Sequence, residues 1–140
     1  KNLVDWKSFV TKGERRQELW KETCFELFFS PSESENYWEL NISTQGHWNL
    51  FTFDSYRSPG YPNLSEENLV QHLDIEVKKN KVRILLPIKV LGLEKSHLDV
   101  SIAAVLKLKN GETSYWALTH LKEKPDFHVR ESFILKLKKE

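Results

Sequence analysis

Between residues 19 and 57 the chain interleaves carboxylates with aromatic rings. Residues 23–29 alternate Thr23, Phe25, Leu27 and Phe29 against Cys24, Glu26 and Phe28. Residues 37–43 alternate Trp38, Leu40 and Ile42 against Tyr37, Glu39, Asn41 and Ser43. Residues 47–54 follow a Gln45-Gly46 turn and run into Tyr56-Arg57. Period-two alternation sends one set of side chains inward and the other outward. Glu26, and Glu39 with Asn41, therefore form polar rows on a sheet that also carries rings. Rings pack on the C–H faces of sugars, while carboxylates, amides and arginine hydrogen-bond the hydroxyls. Tyr and Trp suit such wet sites, joining an apolar face to a polar edge. The same rows equally describe a solvated sheet face.

Trp20 precedes the first run, and Tyr56-Arg57 follows the third. Both stand at strand ends, where sandwich loops cluster. The expected ligand position is thus a sandwich end bounded by Trp20, Tyr56, Arg57 and residues 124–128. Pro125 keeps that last loop out of the ladder and leaves Asp126 and His128 free to turn inward. Arg57 would be a fork-shaped donor to paired hydroxyls, or would form an ion pair with an aspartate or Glu26 that only ties loops together. Trp20 reads equally as an edge residue covering the sandwich. Trp38 shares the apolar side of its run and belongs to the core, Trp48 is open to both readings, and Trp116 is the next ligand candidate.

Other chemistries find little support. No phosphate-binding glycine loop, zinc spacing or serine-hydrolase elbow occurs. Cys24 lies in an apolar run without an adjacent base and reads as a core residue. Five histidines are scattered, and the Asp126/His128 pair falls short of the three converging ligands a metal needs; no metal is expected. The chain has no Met, which rules out Met/His haem ligation, and bis-His ligation has no spacing motif behind it. No cofactor is expected, with haem left open. Glu26 and Glu39 on neighbouring strands could stand at the roughly 5–10 Å separation that glycoside hydrolysis uses. They lie inside strands among aromatics rather than in an evident cleft, so no catalysis is expected.

At 140 residues the chain is expected to form one domain, residues 1–140. Lys plus Arg number 21 and Asp plus Glu 20, for a net charge of +1. That balance argues against a nucleic-acid partner and against a polybasic membrane anchor, and no apolar run has the length of a membrane span. The expected partner is a carbohydrate or another small polar ligand; oligomeric state is left open. One cysteine and no recognisable signal peptide favour a cytoplasmic location. The first residue is Lys1, so an upstream segment removed before it is compatible with the sequence.

The remaining elements are short and β-like. Residues 3–10 suggest a strand, residues 14–20 a helical turn or loop, and residues 58–62, Ser-Pro-Gly-Tyr-Pro, an irregular segment. Ser65 offers a helix cap. Residues 70–78 and 81–88 alternate about a Lys79-Asn80 turn, and residues 90–93 make a short crossing. Residues 98–108 give the longest strand, and Asn110-Gly111 signals a hairpin into residues 113–120. Residues 131–137 close the set. Eight to ten strands without βα alternation predict an all-β, antiparallel β-sandwich with little helix. A closed barrel is the alternative.

The blocks Trp20–Phe28, Tyr37–Ser43, Gly46–Asn49 and Phe53–Arg57, with Tyr115–Leu118 and Lys124–His128 later, resemble bacterial DOMON-like proteins, relatives of family-nine carbohydrate-binding modules. The resemblance covers residues 19–133. It implies an antiparallel β-sandwich that binds sugar or haem at one end, without catalysis. In family-nine sugar binders a Trp precedes the strand and a Glu follows six positions on, as Trp20 and Glu26 do here; Arg57 matches a later sugar-binding Arg. Their second clamping Trp is replaced here by Phe127-His128, and the N-terminal strands look shortened. A haem-binding electron-transfer domain, or a structural or protein-interaction sandwich without small ligand, are the alternatives.

Overall fold

The computed structural model describes residues 3–10, 12–62, 73–78 and 81–139. Among the described residues nine strands are formed: β1 (Cys24–Pro31), β2 (Tyr37–Ser43), β3 (Trp48–Ser55), β4 (Ser58–Pro62), β5 (Asp74–Lys78), β6 (Lys81–Leu85), β7 (Leu98–Lys107), β8 (Thr113–Ala117) and β9 (Leu135–Leu137). Seven make one antiparallel sheet, ordered β4-β3-β2-β1-β7-β8, with β9 pairing β7 below β8. β5 and β6 form a two-stranded sheet. The only helical elements among the described residues are three short 3₁₀ turns, at Leu19–Lys21, Ile88–Leu91 and Arg130–Ser132. The architecture is an antiparallel β-sandwich with layers of unequal size.

The register turns sequence alternation into two chemically distinct faces. Leu27 faces Leu40, which faces Leu50, and Phe29 faces Trp38. This face buries Phe29, Trp38, Leu40, Ile42, Trp48 and Leu50, and Ile75, Val82 and Ile84 of the β5–β6 sheet pack against it. Full burial of each such side chain contributes about 1.5–3 kcal/mol, so this face carries the core. The opposite face starts with Cys24 against Ser43, Glu26 against Asn41 and Phe28 against Glu39. Residues 118–134, between β8 and β9, lie over its lower half, where Phe133 joins Phe28, Tyr37 and Phe53. Arg130 pins that segment: its guanidinium donates to the Ser34 carbonyl at 3.1 Å and pairs with Asp99 at 3.0 Å.

Residues 12–16 run beside the β2–β3 turn. Val10 N–H donates to the Gln45 carbonyl and Trp48 N–H to that of Glu14. The approach is too tight for side chains: a Cβ on Gly13 would sit 1.9 Å from the Gly46 carbonyl oxygen, and Gly46 itself has φ +88°. This docking delivers the Leu19–Lys21 turn, and Trp20 within it, to the start of β1.

Several expectations are corrected. Residues 58–62 are a strand despite two prolines, because β4 is the sheet edge and needs hydrogen-bonding partners on one side only. Residues 3–10 are not a strand; Val4 makes one isolated bridge to Leu108, and the rest follows the loop. Residues 131–137 shrink to β9, because Arg130 anchors a 3₁₀ turn first. Residues 113–120 end as a strand at Ala117. The Asn110-Gly111 hairpin forms, with Gly111 at φ +89°. The Ser65 cap and the Lys79-Asn80 turn lie outside the described residues.

Candidate functional site

On the face opposite the β5–β6 sheet lies a cavity of about 500 Å³, within the size range of small-ligand sites. Its floor is β1 and β2, which present Glu26 and Glu39. Its walls are rings: Trp20 from the 3₁₀ turn, Phe51 and Phe53 from β3, Tyr115 from β8, and Phe127 from the covering segment. Arg57 and His128 complete one side.

Burial sets the state of the two carboxyls. Glu26 and Glu39 are each 6% exposed. They occupy diagonal positions on adjacent strands, a relation that places residues roughly 7–8 Å apart. Desolvation, then the neighbouring Glu39 charge, push the Glu26 carboxyl up to about 8. Desolvation pushes Glu39 up to about 7, against the hydrogen bond from Asn41 and the charge of Arg57. Asn41 donates its Nδ2 to Glu39 Oε1 at 2.7 Å, while its own Oδ1 is buried without a hydrogen-bond partner.

A second polar chain holds the wall. Arg57 has φ 55°, in the left-handed region, at the tight β3–β4 turn, and its backbone N–H donates to the Tyr37 hydroxyl oxygen at 3.1 Å. The Tyr37 hydroxyl lies 2.8 Å from His128 Nδ1, and His128 Nε2 faces Glu39 at 3.6 Å. Burial, and then the Arg57 charge, depress His128 to about 4, so its imidazole is neutral at pH 7. The arrangement that satisfies every group has the tyrosine O–H donating to Nδ1 and Nε2–H turned towards Glu39. Rings clamp the imidazole edge-on, with centroids 5.2 Å from Phe28 and 5.1 Å from Phe53. Nδ1 is thus occupied by the Tyr37 hydroxyl, while Nε2 has the Glu39 carboxyl 3.6 Å away. Among the described residues no group of three or more His, Cys, Asp or Glu is placed to hold a metal ion.

The Arg57 guanidinium pairs with Asp126 at 3.0 Å. Asp126 also accepts from the Tyr56 hydroxyl at 2.5 Å and from Lys122 at 2.7 Å. Burial alone would raise this carboxyl, but the three donors Lys122, Tyr56 and Arg57 outweigh it and hold it well below the usual carboxylate range. The loop-tying ion pair open in the sequence is therefore present, with Asp126 rather than Glu26 as its acid.

Of the residues singled out from the sequence, Trp20, Glu26, Arg57 and His128 line one cavity. Tyr56 stands behind them through Asp126. Trp116 does not join them. It pairs opposite Ala104 on the other face, 61% exposed, with its Nε1 donating to Ser114; its neighbour Tyr115 is the ring in the wall. The cavity also lies on the sheet face rather than at a sandwich end, because Glu26 and Glu39 sit in mid-strand and residues 118–134 fold over them. Sequence reasoning missed Phe51, Phe53 and Tyr115, although their parity was readable once the register was known. It missed Asn49 as well. That amide is buried opposite Asn41, accepts from Arg15 Nε at 2.8 Å and donates to the Arg16 carbonyl at 3.1 Å. It thereby fixes the segment that carries Trp20.

No protein-family profile matches this chain, and no curated protein matches it. Among solved structures it is similar to a candidate carbohydrate-binding protein from Bacteroides uniformis ATCC 8492, at 16% identity and a TM-score of 0.65. The likeness covers 96% of this chain and 66% of that one, so this chain spans just under two thirds of its neighbour's length. At that identity the likeness is one of fold.

Proposed function

We propose that this chain is a non-catalytic binding module whose ligand is a carbohydrate held on the face of the large sheet. The observation that carries the reading is a ring-walled cavity of about 500 Å³ with carboxyls on its floor and Arg57 at its side. Trp20, 42% exposed and 6.4 Å from Phe51 by ring centroids, supplies a flat surface for a pyranose. Tyr115 and Phe127, with ring centroids 6.3 Å apart, add two further rings to the cavity wall. The likeness to a candidate carbohydrate-binding protein and the resemblance to DOMON-like proteins support the same reading.

The floor is also ill suited to glycoside hydrolysis. Acid and base roles need environments that drive two carboxyls apart in pKa, and here burial drives both upward. Glycan-array screening followed by calorimetry tests the proposal. A saccharide that binds the wild-type chain should lose about 1–3 kcal/mol on Trp20→Ala, with the fold unchanged. Reducing-sugar release that Glu26→Gln abolishes would overturn the non-catalytic reading.

A further inference from the structure

The charges around the cavity do not balance. Glu26 and Glu39 form its floor, buried on β1 and β2. Arg57, the one cationic side chain lining it among the described residues, is bound to Asp126, which also holds Lys122. Its direct ion pair is therefore with Asp126 rather than with either floor carboxyl. His128 is neutral at pH 7. The buried Asn41 Oδ1, directly across from Glu26, adds an acceptor without a partner. The floor thus holds two desolvated carboxyls and an unpartnered amide oxygen, while the walls are aromatic. Ring faces attract cations through their quadrupoles, and most strongly when water is excluded.

We propose that the group bound against Glu26 and Glu39 is a cationic ammonium, carried by a saccharide with a free amine. The inference rests on the carbohydrate reading and narrows it. A neutral hydroxyl can pair with the protonated carboxyls but gives the ionised floor no countercharge. An ammonium brings charge-assisted hydrogen bonds and the countercharge together. Its position between diagonal carboxyls lets one cation answer both. Binding then draws protons off the floor. The titratable and charged groups around the Glu26 carboxyl are Glu39 from β2, Arg57 from the β3–β4 turn, His128 from the covering segment and Cys24 on its own strand.

Calorimetry on the whole chain at pH 7 tests this with three trisaccharides of one backbone: β-1,4-linked glucosamine, its N-acetylated form, and cellotriose. Tetramethylammonium chloride serves as a cation without sugar. The glucosamine trimer should bind about tenfold tighter than either neutral trimer, and Glu26→Gln should erase that margin. Tetramethylammonium, whose charge does not titrate, should bind several-fold tighter at pH 8 than at pH 6. Equal or tighter binding of the neutral trimers would overturn the cationic inference and leave the carbohydrate reading standing. Binding of tetramethylammonium but of no trimer would support the cation and overturn the carbohydrate. Failure of both the glucosamine trimer and tetramethylammonium to bind would overturn the inference outright, with no variant involved.

Discussion

The two faces of the seven-stranded sheet come from the same strands, yet they carry opposite chemistry. On β2, Leu40 points to the β5–β6 sheet and is wholly buried in apolar contacts; Glu39, its neighbour, points to the cavity floor and is buried among rings and amides. One face buries side chains that gain from leaving water, and the other buries carboxyls that lose by it. The strands therefore store stability on one face and hold buried carboxyls, at a cost, on the other.

Substitution at these two neighbours breaks the comparison most sharply. Leu40→Ala should cost about 2–5 kcal/mol of folding stability, since it opens a cavity in a closed core. Glu39→Gln, one residue away, should leave stability at pH 8 equal or higher, because it removes a charge that burial opposes. Urea denaturation of both variants checks the pair. A large loss for Glu39→Gln would mean that the polar face is also structural.

The pH dependence sharpens the contrast. Glu26 and Glu39 have folded pKa values raised to about 8 and 7, so from the ordinary carboxyl value upward the folded chain holds more protons than the unfolded one. Their contribution is fullest at low pH and falls as pH rises through the folded values. His128, depressed to about 4, acts in the other sense: its contribution is present above about 6.5 and lost as pH falls towards 4. Below about 6.5 the effects offset. Between pH 6.5 and 8 the falling carboxyl contribution dominates, and it should lower stability by about 2–3 kcal/mol. Denaturation midpoints across that range should show the decline, and Glu26→Gln should flatten it.

Tyr37 joins the faces' supporting structure to the site. Its ring stacks on Phe53 at 4.8 Å and its hydroxyl links Arg57 N–H to His128. Tyr37→Phe keeps the stack and strands both partners, so a loss of about 1–3 kcal/mol is expected. An unchanged midpoint would show that water replaces the hydroxyl.

Much of this was legible in the chain because strand parity needs only local sequence. The alternation in residues 23–29 and 37–43 puts Glu26, Glu39 and Asn41 on one face before any fold is known. Long-range pairing was not legible. Residues 58–62 become β4 only because β3 offers an open edge, and the proline rule that argued against a strand applies to interior positions. Residues 113–120 and 131–137 read as strands joined by a loop through Pro125, yet Arg130 and Phe133 fold residues 118–134 over the polar face, where the cavity lies.

The finest test of the comparison lies in two adjacent residues of β8. Tyr115 faces Val105 across the β7–β8 ladder and lines the cavity, whereas Trp116 faces Ala104 and stands exposed on the other side. A choice by composition alone would take Trp116, the larger ring. Parity takes Tyr115. Tyr115→Ala should weaken binding of any saccharide that occupies the cavity by about 1 kcal/mol, the worth of one ring contact at a partly exposed wall. Trp116→Ala should leave that affinity unchanged and alter stability by less than about 0.5 kcal/mol, since its ring is mostly in solvent. Calorimetry with one ligand on both variants reads the difference directly. The reverse order, with Trp116→Ala the weaker binder, would place the ligand on the face that carries the β5–β6 sheet.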